Sequence, residues 1–232
     1  MNVVNFIKLE MSGWKKSEVI FVSILLFTIF LISLYMHDTK IATASAIFGL
    51  LYTIMAGKGK ILCYFFGIIG TLCYSYLAFQ NAIWGNFLLQ MGYYFPMEIV
   101  GIFMWSKNLK KNSGEIIKTF LPAEKRILIF VAIFVISLIF SFVLKNLGDQ
   151  FPFLDAFVTV ISIFGMYLTV KRCIEQWILW TIVNFLSVII WFEVFAQGGR
   201  TFATLLMWLI YLFLGIYFFF KWWQEIYRAD KL

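Results

Sequence analysis

Gln176-Trp177-Ile-Leu-Trp180-Thr-Ile-Val-Asn184-Phe-Leu-Ser187-Val-Ile-Ile-Trp191 is a stretch in which polar and indole side chains interrupt an otherwise apolar run. Trp177, Trp180, Asn184, Ser187 and Trp191 fall at steps of three and four, so all five share one helix face. If that helix crosses a membrane, an amide among indole rings costs free energy unless it is used. Composition supports the membrane. Of 232 residues, 62% are hydrophobic, 21% aromatic and 13% charged. Soluble domains carry about 25% charge, so this chain cannot cover itself with polar surface. It reads as an all-α integral membrane protein.

Eight apolar segments follow, at about 19–36, 41–56, 61–80, 82–105, 127–144, 153–170, 177–197 and 201–222. The first lies behind Lys8, Lys15 and Lys16 and would span about 27 Å as a helix. It ends in Leu34-Tyr-Met-His-Asp38 without a small-residue cleavage site, so it is expected to be an uncleaved span rather than a signal peptide. With a cytoplasmic N-terminus, sixteen of the 19 basic residues lie in inside segments; only Lys40, Lys145 and Arg200 lie outside. That asymmetry obeys the positive-inside rule and places the C-terminus in the cytoplasm as well. It also accounts for the net charge of +7 without invoking nucleic acid.

The spans group as one, three, one, three. This predicts an extra N-terminal helix over 1–38, a three-helix bundle over 39–106, a basic cytoplasmic loop with a linker helix over 107–152, and a second three-helix bundle with a cytoplasmic tail over 153–232. Ile47-Phe-Gly49 and Ile163-Phe-Gly165 suggest an offset of 116 between the repeats, as do Thr53 with Thr169 and Met91 with Met207. A linker span between triplets keeps both copies the same way up, as parallel repeats.

Polar residues inside the spans mark the candidate site. The fourth span carries Asn86, Gln90, Tyr94 and Glu98 at steps of four, a slowly turning stripe interrupted by Pro96. Proline removes a backbone donor and predicts a break in the helix. Gln90 reads as a substrate contact. Asn86 sits nearer the outer end, where solvation also explains it. Glu98 needs water or a partner at its depth and reads as lining the pathway. On the seventh span Trp180 and Asn184 are the expected contacts. Trp177 reads either as a contact or as an anchor at the inner interface. Trp191 suits the outer belt, and Glu193 a solvated rim. The eighth span adds Thr204, Trp208, Tyr211 and Gly215, while Gly67 and Gly70 on the third permit close helix approach.

Missing residues exclude several classes. No lysine lies inside a span, away from its ends, for a retinal Schiff base. Buried histidines for haem, a His-Glu-x-x-His protease motif, an aspartyl dyad and an ATP-binding glycine loop are absent. Cys63, Cys73 and Cys173 form no disulfide framework or metal motif, so neither cofactor nor metal is expected. A carrier or pore with a polar, aromatic interior remains, rather than an enzyme. Indole and phenol faces favour planar rings and cations, at about 0.5–2 kcal/mol per contact. Gln90 and Asn184 suit a carboxamide or ribose hydroxyls. No Lys or Arg lies deep in a span to neutralise phosphate, so the ligand is expected to be an uncharged or cationic aromatic solute.

Trp177-x-x-Trp180-x-x-Val183-Asn184 resembles the signature of the PnuC family of vitamin transporters. So do Gln90-Met-Gly-Tyr-Tyr94, Gly101-x-x-x-Trp105, and Gly215 with Lys221-Trp222. The resemblance runs from about residue 40 to 223; Pro96 and Glu98 depart from it. It implies a SWEET-like fold, two parallel three-helix bundles with a linker helix and an extra first helix. It also implies facilitated diffusion of nicotinamide riboside across a bacterial inner membrane, with trapping by a cytoplasmic kinase. Thiamine, riboflavin or deoxynucleosides are the cargo of family relatives, and a scaffold or receptor is the reading from another class. Gln90, Tyr94, Glu98, Trp180, Asn184, Trp208 and Tyr211 are the expected substrate-binding residues, with Asn86 and Trp177 beside them. The expected partners are the small-molecule substrate and the bilayer. The aromatic outer faces suit lipid or a second copy in a homo-oligomer.

Overall fold

The computed structural model describes residues 3–80, 84–110, 113–148, 151–197 and 202–229, and they are almost entirely helical. A short helix α1 (Val3–Glu10) precedes α2 (Lys16–Tyr35), α3 (Lys40–Lys58) and α4 (Leu62–Gln80). Helix α5 (Trp84–Leu89) runs through a π-helical turn (Gln90–Tyr94) into α6 (Phe95–Ser106). The second half holds α7 (Ala123–Asn146), α8 (Pro152–Val170), α9 (Glu175–Ala196) and α10 (Phe202–Ala229). Among the described residues, seven helical stretches are long and apolar enough to cross a membrane. The expected seventh span is α9, of 22 residues.

Local chemistry sets the helix ends. The Thr39 hydroxyl accepts the Ala42 N–H at 3.2 Å and caps α3. Gly59 closes α3 at φ 70°, where a glycine has no Cβ penalty. Pro152 opens α8 in the first turn, where its missing N–H costs nothing. Outward faces are apolar, as in Phe130, Phe134 and Ile139 on α7, which fits a hydrocarbon surround. The same helix turns Ile133, Ser137 and Ser141 inward at steps of four, and α7 packs on α8.

The chain forms two compact units, Met1–Ile117 and Lys118–Leu232. In the first, α3 packs against α2 and α4, and α4 against the bent helix of α5, π turn and α6. In the second, α7 packs on α8, α8 on α9, and α9 on α10. Each unit therefore repeats one order of neighbours, with α2 and α7 both packed against the first helix of a triplet.

The inner turns fix the register of that repeat. Gly59 and Arg172 both have positive φ, 70° and 64°. They lie 113 residues apart, and both accept from the connecting segment: Ile116 N–H bonds the Gly59 carbonyl at 2.9 Å and Thr119 N–H the Arg172 carbonyl at 3.0 Å. The 116-residue offset read from side-chain identities is therefore corrected by three residues. Phe, Leu and Ile are abundant enough to match by chance, whereas a helix-ending turn cannot slip.

A polar cluster anchors the end of the first unit that holds α1 and the turn between α3 and α4. The buried Lys60 ammonium donates to the Leu9 and Ser113 carbonyls at 2.8 and 2.7 Å. Glu10 accepts the Leu62 N–H at 2.9 Å at the start of α4, and burial pushes its carboxyl above the usual range. Lys58 pairs with Glu18 at 2.7 Å and lies over the Trp14 ring. In the second unit Arg126 pairs with Glu175 at 2.8 Å, and Glu175 also accepts the Leu121 N–H.

Candidate functional site

In the second unit the polar face of α9 lies between α8 and α10. Trp180 Nε1–H donates to Thr169 Oγ1 at 3.1 Å, and the Thr169 hydroxyl donates to the Gly165 carbonyl at 2.9 Å. A methyl on Gly165 would stand 3.2 Å from the indole, so the glycine lets the ring lie against α8. Trp180 is thereby fixed in orientation while remaining half-buried. One turn on, Asn184 is 7% exposed. It sits over Gly215 of α10, where an added Cβ would be 3.7 Å from Nδ2. An amide at this depth needs hydrogen-bond partners, and a ligand or water can supply them.

Trp208 and Tyr211 project from α10 with rings 6.0 Å apart, edge to face. Trp208 packs on the same core cluster as Trp180, around Val160, Ile161 and Val183, and its Nε1–H is buried without an acceptor. Trp180, Asn184, Trp208 and Tyr211 thus share one unit, on two packed helices. Trp177 has different neighbours. Its ring lies against Phe218 at 5.1 Å and edge to face with Trp222 at 5.7 Å, and it is almost wholly buried. This aromatic cluster packs the inner ends of α9 and α10 together.

The first unit carries the other set. Gln90 and Tyr94 open and close the π turn and are half-buried. The Phe95 N–H reaches back five residues to the Gln90 carbonyl. The break expected from Pro96 is thus a widened turn just before it, a device frequent at functional sites. Asn86 lies in α5, and its side chain falls outside the described residues, as does that of Trp191.

Glu98 on α6 is 4% exposed. Its Oε1 accepts the Thr71 hydroxyl of α4 at 2.9 Å, and its Oε2 has no partner. A Cβ on Gly67 would come within 2.7 Å of Oε1, so α4 makes room for the carboxylate by carrying glycine there. A turn further in, Gly101 lies under the Tyr64 ring, and Tyr64 meets Trp105 edge to face at 4.9 Å. Gly70 comes close to the backbone of Gly49, the close approach expected of it.

Sequence reasoning missed Thr71 and Thr169, the hydroxyls that hold Glu98 and Trp180. The available signal was the small-residue run Gly67-x-x-Gly70-Thr71, which places a hydroxyl on the glycine face of α4.

A helical chain with membrane-length apolar helices and with amide and indole groups set between packed helices has the form of a membrane carrier of small solutes. The chain belongs to the nicotinamide mononucleotide transporter family, whose model matches residues 39–224. It is similar to the nicotinamide riboside transporter PnuC of Haemophilus influenzae, at 30% identity over 223 residues, covering 94% of this chain and 95% of that one. The PnuC of Neisseria mucosa is 29% identical over 198 residues, 84% of this chain and 75% of its own. The crystal structure of the vitamin B3 transporter PnuC matches with a TM-score of 0.83 at 29% identity, covering 98% of this chain and 99% of the other. These relatives are transporters, and this chain is a membrane transporter rather than an enzyme.

Proposed function

We propose that the protein takes up nicotinamide riboside across a bacterial inner membrane, with both termini in the cytoplasm, by facilitated diffusion through alternating access. The observation that carries the reading is Asn184, an amide only 7% exposed, one turn from a tryptophan whose orientation is fixed by Thr169. An amide pairs naturally with the nicotinamide carboxamide, and an indole face with a pyridinium. Trp208 and Tyr211 add aromatic wall in the same unit. Gln90, Tyr94, Glu98 and Asn86 are the proposed contacts of the first unit, and Trp177 acts through packing.

The names of relatives support the riboside, while the family model is described by the mononucleotide. Charge favours the riboside. A phosphomonoester carries about −1.5 to −2 charge at pH 7 and calls for Arg or Lys partners, and no Lys or Arg lies deep in a span. Phosphorylation inside the cell would trap the cargo, which is why no coupling ion is required. The test is uptake of labelled riboside by proteoliposomes without an ion gradient, with the mononucleotide and thiamine as competitors. Saturable riboside flux that thiamine and the mononucleotide fail to inhibit is expected. Absence of flux, or preference for either competitor, overturns the reading.

A further inference from the structure

Glu98 stands apart among the described carboxylates. The others that the structure describes lie in helix ends, loops or the tail, whereas Glu98 is embedded in α6 and 4% exposed. One oxygen is held by the Thr71 hydroxyl, and the other has no donor. Gly67, Thr71 and Tyr64 of α4 and Tyr52 of α3 surround this stretch of α6, and none carries positive charge. The lysines of α3 sit at its two ends, Lys40 and Lys58. A carboxylate taken out of water without a cation is strongly disfavoured, yet α4 keeps a glycine so that this one fits.

We infer that the compensating cation is the cargo: Glu98 is the residue that selects positively charged substrates over neutral ones of the same shape. This rests on the riboside reading and deepens it, because the pyridinium of nicotinamide riboside is a fixed cation. A carboxylate distinguishes that ring from its reduced, uncharged dihydropyridine form by full charge, beyond the cation–π attraction of an aromatic face.

The experiment measures binding of oxidised and reduced nicotinamide riboside to the full-length protein in detergent, for wild type, Glu98→Gln and Glu98→Asp. Wild type is expected to prefer the cation. Glu98→Gln keeps shape, and its cation-to-neutral preference is expected to fall about tenfold, or about 1.4 kcal/mol. Glu98→Asp keeps the charge and is expected to retain most of the preference, which excludes mere loss of fold. A preference unchanged in Glu98→Gln overturns the inference and leaves the riboside reading intact. A wild type that binds neither form overturns both.

Discussion

Replacing Asn184 by Leu separates recognition from folding if the amide serves the ligand rather than the fold. Leucine has nearly the same volume, and Gly215 leaves room beside it. Burying an amide carries a desolvation cost that leucine does not, so the ligand-free variant is expected to melt at or slightly above the wild-type temperature. Binding is another matter. A carboxamide facing Asn184 loses up to two hydrogen bonds at about 0.5–1.5 kcal/mol each, and leaving a buried polar group of the ligand unmatched adds to that. A combined loss of about 2–3 kcal/mol weakens the dissociation constant by roughly 30- to 150-fold. Calorimetric titration of the riboside gives the affinity, and a thermal scan without ligand gives the stability. An affinity within about threefold of wild type refutes Asn184 as a ligand contact. A ligand-free melting temperature several degrees lower refutes the premise that its amide is idle in the fold.

Two further substitutions test the frame around the site. Gly101→Ala drives a methyl into the Tyr64 ring, which is fully buried against Trp105; overpacking of this kind costs about 1–3 kcal/mol. A fall in melting temperature is expected, with partial recovery on adding Tyr64→Leu, and simple additivity of the two losses would show that the methyl does not meet the ring. Burial raises the Glu10 carboxyl above 4.5, so the folded state keeps a proton that the unfolded chain has released. Stability is therefore expected to fall as pH rises from about 4.5 through the folded-state value. Glu10→Gln keeps an acceptor for the Leu62 N–H and should flatten that slope; melting temperatures across this range that shift equally in both proteins count against it.

The spans and their order were legible because hydrocarbon demands them: apolar runs of helical length, with basic residues gathered on one side, leave few alternatives. Pro96 announced a break in the fourth span, though nothing in the residue string distinguishes a kink from the π turn that Gln90–Tyr94 adopts. Asn184 and Trp180 stood out because an amide and indoles are conspicuous among Ile and Val. Thr71 and Thr169 did not, since a threonine in a membrane helix usually bonds its own backbone, and only the fold shows which one also meets Glu98 or Trp180. Trp177 illustrates the limit of face arguments. It shares a stripe with Asn184, but Phe218 and Trp222 enclose it at the inner end of the helix.

The register set by Gly59 and Arg172 gives the duplication a chemical meaning. At 113 residues, Tyr64 corresponds to Trp177, and both are inner-end aromatics that meet an aromatic of the following helix edge to face, Trp105 or Trp222. The packing of the inner end is thus preserved between the units. One turn further along, the chemistry diverges. Gly67 and Thr71 of α4 answer to Trp180 and Asn184 of α9. A small residue and a hydroxyl in the first unit admit a carboxylate from the neighbouring helix. A large ring and an amide at the same steps of the second leave no such room and present a recognition surface instead. On the readings proposed above, a scaffold that kept its packing aromatics and changed these two steps divides the work, with charge read in one unit and ring and carboxamide in the other. On that division, exchanging the pair in either unit would disturb one kind of discrimination and spare the other, which no account of the two stripes as mere packing predicts.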